Sequence, residues 1–487
     1  MAKSSRKPSK RQKVAKQTPP ASTAERTKPA DTIPSPPAAK RSPSDSSPTL
    51  EIAHPHAAGI DIHSDNHWVC VGAGADQVKK FGAYTIDLEA IADHLKGCGV
   101  TSVVMESTGV YWIPLYELLE SRKFEVFVVE PSQLQSCGGR PKTDRLDCQW
   151  LQRLHTYGLL KGSFRPPGWI LALRSYHRMR QTLIREAAVH VQHMQKALEQ
   201  MNVKLTEVIS DITGVTGLAI IKAILAGERD ANALAKLRDN RCHRDEAEIA
   251  RALAGIWRNE HLFELEMAYS LFQVYQQKIT LCDQKIEKEL ASLPDRSGDK
   301  PVPEGTQKKN KNALHFEACA PLFKALGVDL TAIKGIDVKT ALVILAEIGV
   351  DVSKFPTEKH FTSWLGLCPR NAMSNKTQKK KGPRKGKNRV KQALKMAAQA
   401  VGRTMSPLGV FFRRIKGRIG GVGACTATAH KMARLIYRML KYGTEYVVEG
   451  MKEYEAKIKA QAEKSLKRKA AELGYDLTPK AQPAPAG

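Results

Sequence analysis

Four acidic side chains stand where an acid is either costly or aligned with another. Asp61 interrupts the apolar run Ala57-Ala58-Gly59-Ile60-Asp61-Ile62, and Glu106 closes Val103-Val104-Met105-Glu106 just before Ser107-Thr108-Gly109. Asp144 and Asp147 lie in Lys142-Thr143-Asp144-Arg145-Leu146-Asp147, three residues apart and so on one face of a helix. A carboxylate inside an apolar strand is costly unless it is paired or bound to a metal. Converging carboxylates repel one another, and a divalent cation removes that penalty; a site of oxygens selects magnesium or manganese. Two such ions about 4 Å apart activate a nucleophile and stabilise the leaving oxygen in phosphoryl transfer. Taken singly, each acid has an ordinary explanation: Asp144 as a helix N-cap, Asp147 as a solvated side chain, Glu106 as a cap on the turn that follows. Asp65 lies in a turn, where aspartate is common.

A second group of residues suits a different step. Leu365-Gly366-Leu367-Cys368-Pro369-Arg370 leads into Asn371-Ala372-Met373-Ser374-Asn375-Lys376-Thr377. Lys376, Lys379, Lys380, Lys381, Arg384, Lys385, Lys387, Arg389 and Lys391 then follow with no acid among them. Such a run is most often a solvated loop or a contact to a nucleic-acid backbone, without sequence readout. A hydroxyl beside phosphate-binding cations can also attack a phosphodiester and hold the strand end covalently. Ser374 is the candidate, and Thr377 is an equal one on residue type alone.

The elements that must position these groups are legible from periodicity. Ala57 to His63 and His67 to Gly72 read as a hairpin, with Val78 to Tyr84 as a third strand. Leu88, Ile91, Ala92 and Leu95 have helical spacing. Thr101 to Glu106 is a strand, Tyr111 to Leu119 a helix, Phe124 to Val129 a strand and Asp144 to His155 a helix. Three antiparallel strands followed by parallel crossovers are the layout of an α/β ribonuclease-H-like domain, here over residues 53–165. That layout brings the four acids together.

Residues 166–293 read as a helical region. Ile184, Ala187, Val191, Met194, Leu198 and Met201 alternate steps of three and four, as do Leu265, Ala268, Phe272, Tyr275, Ile279, Cys282 and Ile286. A period near 3.5 held this long predicts a coiled coil, within or between subunits. Residues 204–260 form a small helical insert, and 294–313 a linker. A mostly α-helical domain spans 314–455. Its Ile333-Lys334-Gly335-Ile336 turn and the helix after it resemble a helix-hairpin-helix, whose helix-start amides can hold a phosphate. Asn371 to Arg389 reads as a loop, with helices over Val390 to Arg403 and Thr426 to Glu449. Residues 456–487 read as a frayed polar tail, and 1–52 as a disordered basic arm.

Composition points to the partner. The chain has 487 residues, with 77 Lys plus Arg against 49 Asp plus Glu and a formal charge of +28. Charge of this size destabilises a compact state until a polyanion binds. No apolar run reaches membrane-spanning length, and the N-terminus carries no signal peptide. The nine cysteines form no CxxC pair, so neither a zinc ribbon nor a disulfide framework is indicated and a cytosolic setting is expected.

The segments GIDIHSDNHWV, VVMESTGVYW, PKTDRLD, IKGIDVKTA and the GLCPR-x3-S loop, in this order, resemble the insertion-sequence 110 family of transposases, including its 1111 branch. The similarity covers about residues 55–160 and 314–450. It implies a RuvC-like nuclease domain whose four acids fall on Asp61, Glu106, Asp144 and Asp147, and a catalytic serine that falls on Ser374. Asn375 stands where family members have glycine. The resemblance further implies a cytoplasmic, nucleoid-associated bacterial recombinase that forms a dimer or a tetramer. A noncoding bridge RNA would pair with donor and target DNA. Magnesium would sit at the acids, and a phosphoserine intermediate would form on Ser374, with acids and serine from different subunits. A metal-dependent junction nuclease using water as nucleophile is the alternative enzyme. A nonenzymatic nucleic-acid-binding protein is the alternative without chemistry.

Overall fold

The computed structural model describes residues 50–72, 77–135, 143–303, 307, 311–374, 377–381, 388–444, 456, 460 and 463–476. The basic arm expected over 1–52 lies almost wholly outside these residues. The chain divides into two units, the first ending at Ser163 and the second beginning at Phe164.

The first unit is built on a five-stranded mixed sheet. Its strands are β1 (Ala57–Ile62), β2 (Asn66–Val71), β3 (Val78–Gly82), β4 (Ser102–Glu106) and β5 (Glu125–Val129), in the order β3-β2-β1-β4-β5. The β1–β2 and β2–β3 pairs are antiparallel, and β1–β4 and β4–β5 are parallel. Helices α1 (Thr85–Gly97) and α2 (Trp112–Ser121) cover one face, where Ile60, Ile62, Val103 and Met105 pack with Leu88, Ile91, Leu95, Leu115 and Leu119. The short α3 (Pro131–Gln135) follows β5, and α4 (Asp144–Thr156) covers the other face through Leu151 and Leu154 against Val104 and Val129. The approach of α4 is close enough to need glycine at position 59. A Cβ there would stand 2.4 Å from the Cys148 carbonyl oxygen and 2.4 Å from the Gln152 amide nitrogen.

The second unit opens with α5 (Gly168–Gln200) and α10 (Asn259–Ser292), which pack side by side. They run antiparallel: Ile170 shares a core with Ile286 and Leu290, Arg180 pairs with Asp283, and His190 stacks on Tyr275 at 5.2 Å. The expected coiled-coil seam is thus satisfied within the chain. Between these arms lie α6 (Leu205–Val208), α7 (Val215–Leu225), α8 (Ala231–Ala235) and α9 (Glu246–Leu253). They share one core with the outer half of the hairpin, through Ile220, Ile224, Leu234 and Ile249 against Met194, Leu198 and Phe272.

The remaining helices are α11 (Cys319–Leu326), α12 (Val338–Ile348), α13 (Glu358–Trp364), α14 (Arg389–Val401) and α15 (Pro407–Tyr442). Their core continues into the base of the hairpin through Ile170, Leu173, Ile286 and Leu290. Glu347 of α12 is buried there and bonds to Arg178 at 2.7 and 2.8 Å and to Arg174 at 3.1 Å.

Four sequence expectations need correction. The loop expected over Asn371 to Arg389 contains a two-stranded hairpin, β6 (Arg370–Ser374) with β7 (Thr377–Lys381). Neither Arg-Asn-Ala-Met-Ser nor Thr-Gln-Lys-Lys-Lys carries apolar alternation, which hid these strands. The helix expected over Thr426 to Glu449 begins at Pro407 instead, with Ser406 as its cap and a kink at Gly420, φ +77°. Part of the expected 294–313 linker is packed: Arg296 donates its amide to the Lys324 carbonyl, and Arg180 donates to the Asn312 and Ala313 carbonyls. Within the tail, residues 463–472 are helical.

Candidate metal centre and serine hairpin

Parallel pairing sets the first two acids side by side. Ile60 is opposite Met105, so Asp61 and Glu106 are the next positions on neighbouring strands. Ile60 and Met105 face the α1/α2 core. Alternation along a strand therefore turns Asp61 and Glu106 toward α4. The other two acids come from the first turn of α4. Thr143 caps this helix, its hydroxyl accepting from the Leu146 amide at 3.3 Å. Asp144 and Asp147 thus lie at the positive end of the helix dipole, which favours carboxylates.

A histidine joins two of the four, Asp61 and Asp144; the group of close ligand atoms does not include Glu106 or Asp147. His63, two residues past Asp61, places Nε2 3.3 Å from Oδ2 of Asp61 and 3.5 Å from Oδ1 of Asp144. Ligand atoms of Asp61, His63 and Asp144 lie close enough together to hold one cation, and no other such group is found among the described residues. Asp61 is 7% exposed. Burial pushes its carboxyl above the usual range; His63 opposes this, and the charges of Asp147 and Asp144 add to it. An acid held in this state favours any arriving cation. His63 lies just past the end of β1, two residues beyond Asp61, where the alternation of a strand would put both on one face.

Ser374 belongs to the second unit. It ends β6 directly opposite Thr377, which begins β7. The two hydroxyl candidates are therefore at paired positions of the ladder, and Asn375 and Lys376 between them lie outside the described residues. Lys379, Lys380 and Lys381 lie on β7, and Arg384, Lys385 and Lys387 fall outside the described residues. Arg389 begins α14 and is engaged within the chain: its guanidinium donates to Oε1 of Gln181 at 2.5 Å and lies 3.6 Å from Glu347. Lys391 is also on α14, where burial and Lys395 push its amine below the usual range.

The turn likened to a helix-hairpin-helix is formed, with Gly335 at φ +95° against the Ala397 carbonyl. Its helix start is already capped: Asp337 accepts from the Thr340 amide at 2.8 Å and hydroxyl at 2.6 Å. A phosphate there would compete with this carboxylate. No described helix is long and apolar enough to cross a membrane.

Residues 58–203 match a family model for the DEDD transposase of IS110, described as a transposase, and residues 329–409 match one described as "Transposase IS116/IS110/IS902 family". The first match contains all four acids and His63; the second contains the Gly335 turn and Ser374. The chain is also similar to the insertion element IS110 uncharacterized 43.6 kDa protein of Streptomyces coelicolor, with 29% identity over 119 residues. That alignment spans 24% of this chain and 29% of the relative.

Proposed function

Given that the chain belongs to the IS110 family of transposases, we propose that it is the DNA recombinase of an insertion sequence, cutting and rejoining strands through a serine-linked intermediate. The observation that carries this reading is the acid cluster itself. A buried carboxylate with a raised pKa, a histidine and a second carboxylate meet within the segment that matches the transposase model.

We read the first unit as ribonuclease-H-like, with Asp61, Glu106, Asp144 and Asp147 holding magnesium or manganese. Such an ion, when bound, neutralises charge on a phosphodiester and lowers the barrier to displacement at phosphorus. The chain's own groups do the rest. The carboxylates would fix the ion's position. The hydroxyl of Ser374 forms the new bond to phosphorus and gives up its proton. The bond to one deoxyribose oxygen breaks, and that oxygen leaves as a hydroxyl. The phosphoserine keeps the energy of the broken ester, so attack by another strand's hydroxyl rejoins DNA and restores Ser374. Lys379, Lys380 and Lys381, with Lys376, Arg384, Lys385 and Lys387, hold the strand by its backbone.

Pairing to a bridge-type RNA would supply target choice, which fits a basic chain that offers backbone contacts and no evident base readout. Self-association has a surface to use. The α10 face opposite the intrachain seam exposes Phe263, Met267, Leu271, Val274 and Leu281, in steps of four, four, three and seven, a second apolar stripe of coiled-coil spacing. A dimer or tetramer formed there could join one subunit's acids with another's serine.

The test is cleavage of labelled element-end DNA by purified protein with its flanking RNA and magnesium. Asp61→Asn, Glu106→Gln and Asp144→Asn should each lower the rate at least about a hundredfold, and omitting the RNA should abolish site choice. Unchanged cleavage in these variants would assign the acids a structural role and remove the metal-centre reading.

A further inference from the structure

His63 differs in kind from the carboxylates around it. Its placement is set by the hairpin: the His63 amide donates to the Asn66 carbonyl at 3.0 Å and closes the β1–β2 turn. This turns the imidazole back over the cluster, with Nε2 3.3 Å from one Asp61 oxygen and 3.5 Å from one Asp144 oxygen. In an octahedral shell with bonds of about 2.1 Å, adjacent ligands lie about 3 Å apart. The two observed separations are those of neighbouring corners of one shell, opened by a few tenths of an ångström. The imidazole also keeps an open side, with 37% of the side chain exposed, so it can swing by that amount without repacking.

We propose that His63 is a direct nitrogen ligand of the cation held by the acids, and that it makes the centre prefer manganese(II) over magnesium. This rests on the reading that the acids hold a cation. Magnesium dehydrates reluctantly and takes oxygen ligands, whereas imidazole suits first-row transition metals. One nitrogen among carboxylate oxygens therefore stabilises manganese more than magnesium. The competing role for His63 is that of a hydrogen-bond partner that orients Asp61 without touching the ion.

The experiment uses the full chain without a histidine tag, in imidazole-free buffer, titrated with manganese(II) alone and followed by electron paramagnetic resonance. Pulsed measurement on the bound ion should show nitrogen-14 modulation of imidazole type, and protein labelled with nitrogen-15 histidine should show the corresponding nitrogen-15 pattern. In His63→Asp the modulation should vanish while manganese still binds through the new oxygen, and magnesium should displace it at least about tenfold more readily than from the unaltered protein. His63→Gln, checked by circular dichroism and melting temperature, is the second variant and should also lose the modulation. Bound manganese without nitrogen modulation would make His63 an orienting residue and overturn this proposal, leaving the cation site intact. Binding no tighter than in Asp61→Asn would overturn both the proposal and the cation site beneath it.

Discussion

Asp61 is destabilised by its surroundings: burial raises its pKa and the two helix acids add repulsion, against the single favourable interaction with His63. A raised folded-state pKa means that Asp61 contributes stability at low pH and loses it as pH climbs from the ordinary carboxylate value through the raised one. At neutral pH, in chelator, Asp61→Asn should therefore raise the melting temperature. The same variant should lose the upward shift that added manganese or magnesium gives the unaltered chain. Differential scanning fluorimetry with and without metal measures both, and a chelator melting temperature below that of the unaltered chain would refute the electrostatic account. At this scale the acids were legible because each broke an apolar pattern or repeated at helical spacing. His63 was not, because it enters the polar run Ser64-Asp65-Asn66, where a histidine reads as solvent-facing. Ser374 was named by residue type beside basic residues, and nothing in its local pattern separated it from Thr377.

The elements work by bringing α4 down onto the sheet. Gly59 permits this approach, so Gly59→Ala should lift α4, cost about 1–3 kcal/mol by overpacking, and weaken metal binding because Asp144 and Asp147 ride on that helix. Chemical denaturation and a manganese titration on the same protein check both parts; a stable variant with unchanged affinity would disprove the coupling. The far end of α4 carries its own pH dependence. His155 is 1% exposed, shares a 2.7 Å hydrogen bond with the Ser102 hydroxyl and stacks on His54 at 4.2 Å. Burial holds its imidazole down at about 4. A lowered histidine pKa stabilises the fold above the unfolded value near 6.5, and that stability drains away as pH falls toward about 4. The first unit should lose on the order of 3 kcal/mol across this window, and His155→Gln should flatten the slope in urea unfolding at stepped pH. The strands and helices of this unit were readable because period two and period 3.6 alternate cleanly. The β6–β7 hairpin was not, since Asn371, Gln378 and three lysines carry no apolar alternation.

At the scale of the whole molecule, the positive charge of the chain and the outer stripe of α10 bear on its partners. Removing one phosphate-binding cation should reduce the salt dependence of DNA binding by about one unit in the log–log slope. Lys379→Ala, Lys380→Ala and Lys381→Ala combined should thus lower the slope by about three, measured by fluorescence anisotropy across salt. An unchanged slope would remove β7 from the interface. Leu271→Lys with Leu281→Glu should lower the oligomeric state in sedimentation velocity without altering the melting temperature, because neither side chain belongs to the intrachain seam. The periodic pattern announced a long paired helix, and only the packing of α5 on α10 assigned that seam to one chain.

The central claim is that an acid-bound cation and Ser374 act on one phosphodiester, and a covalent link between protein and DNA tests it most directly. Protein, flanking RNA, divalent metal and end-labelled element DNA are combined, denatured and resolved by size, with Ser374→Ala, Thr377→Ala and Asp144→Asn beside the unaltered chain. The account predicts a labelled protein–DNA adduct that requires metal, Ser374 and Asp144 and survives Thr377→Ala. Metal-dependent cleavage with no adduct, undiminished in Ser374→Ala, would contradict it and leave a nuclease that uses water.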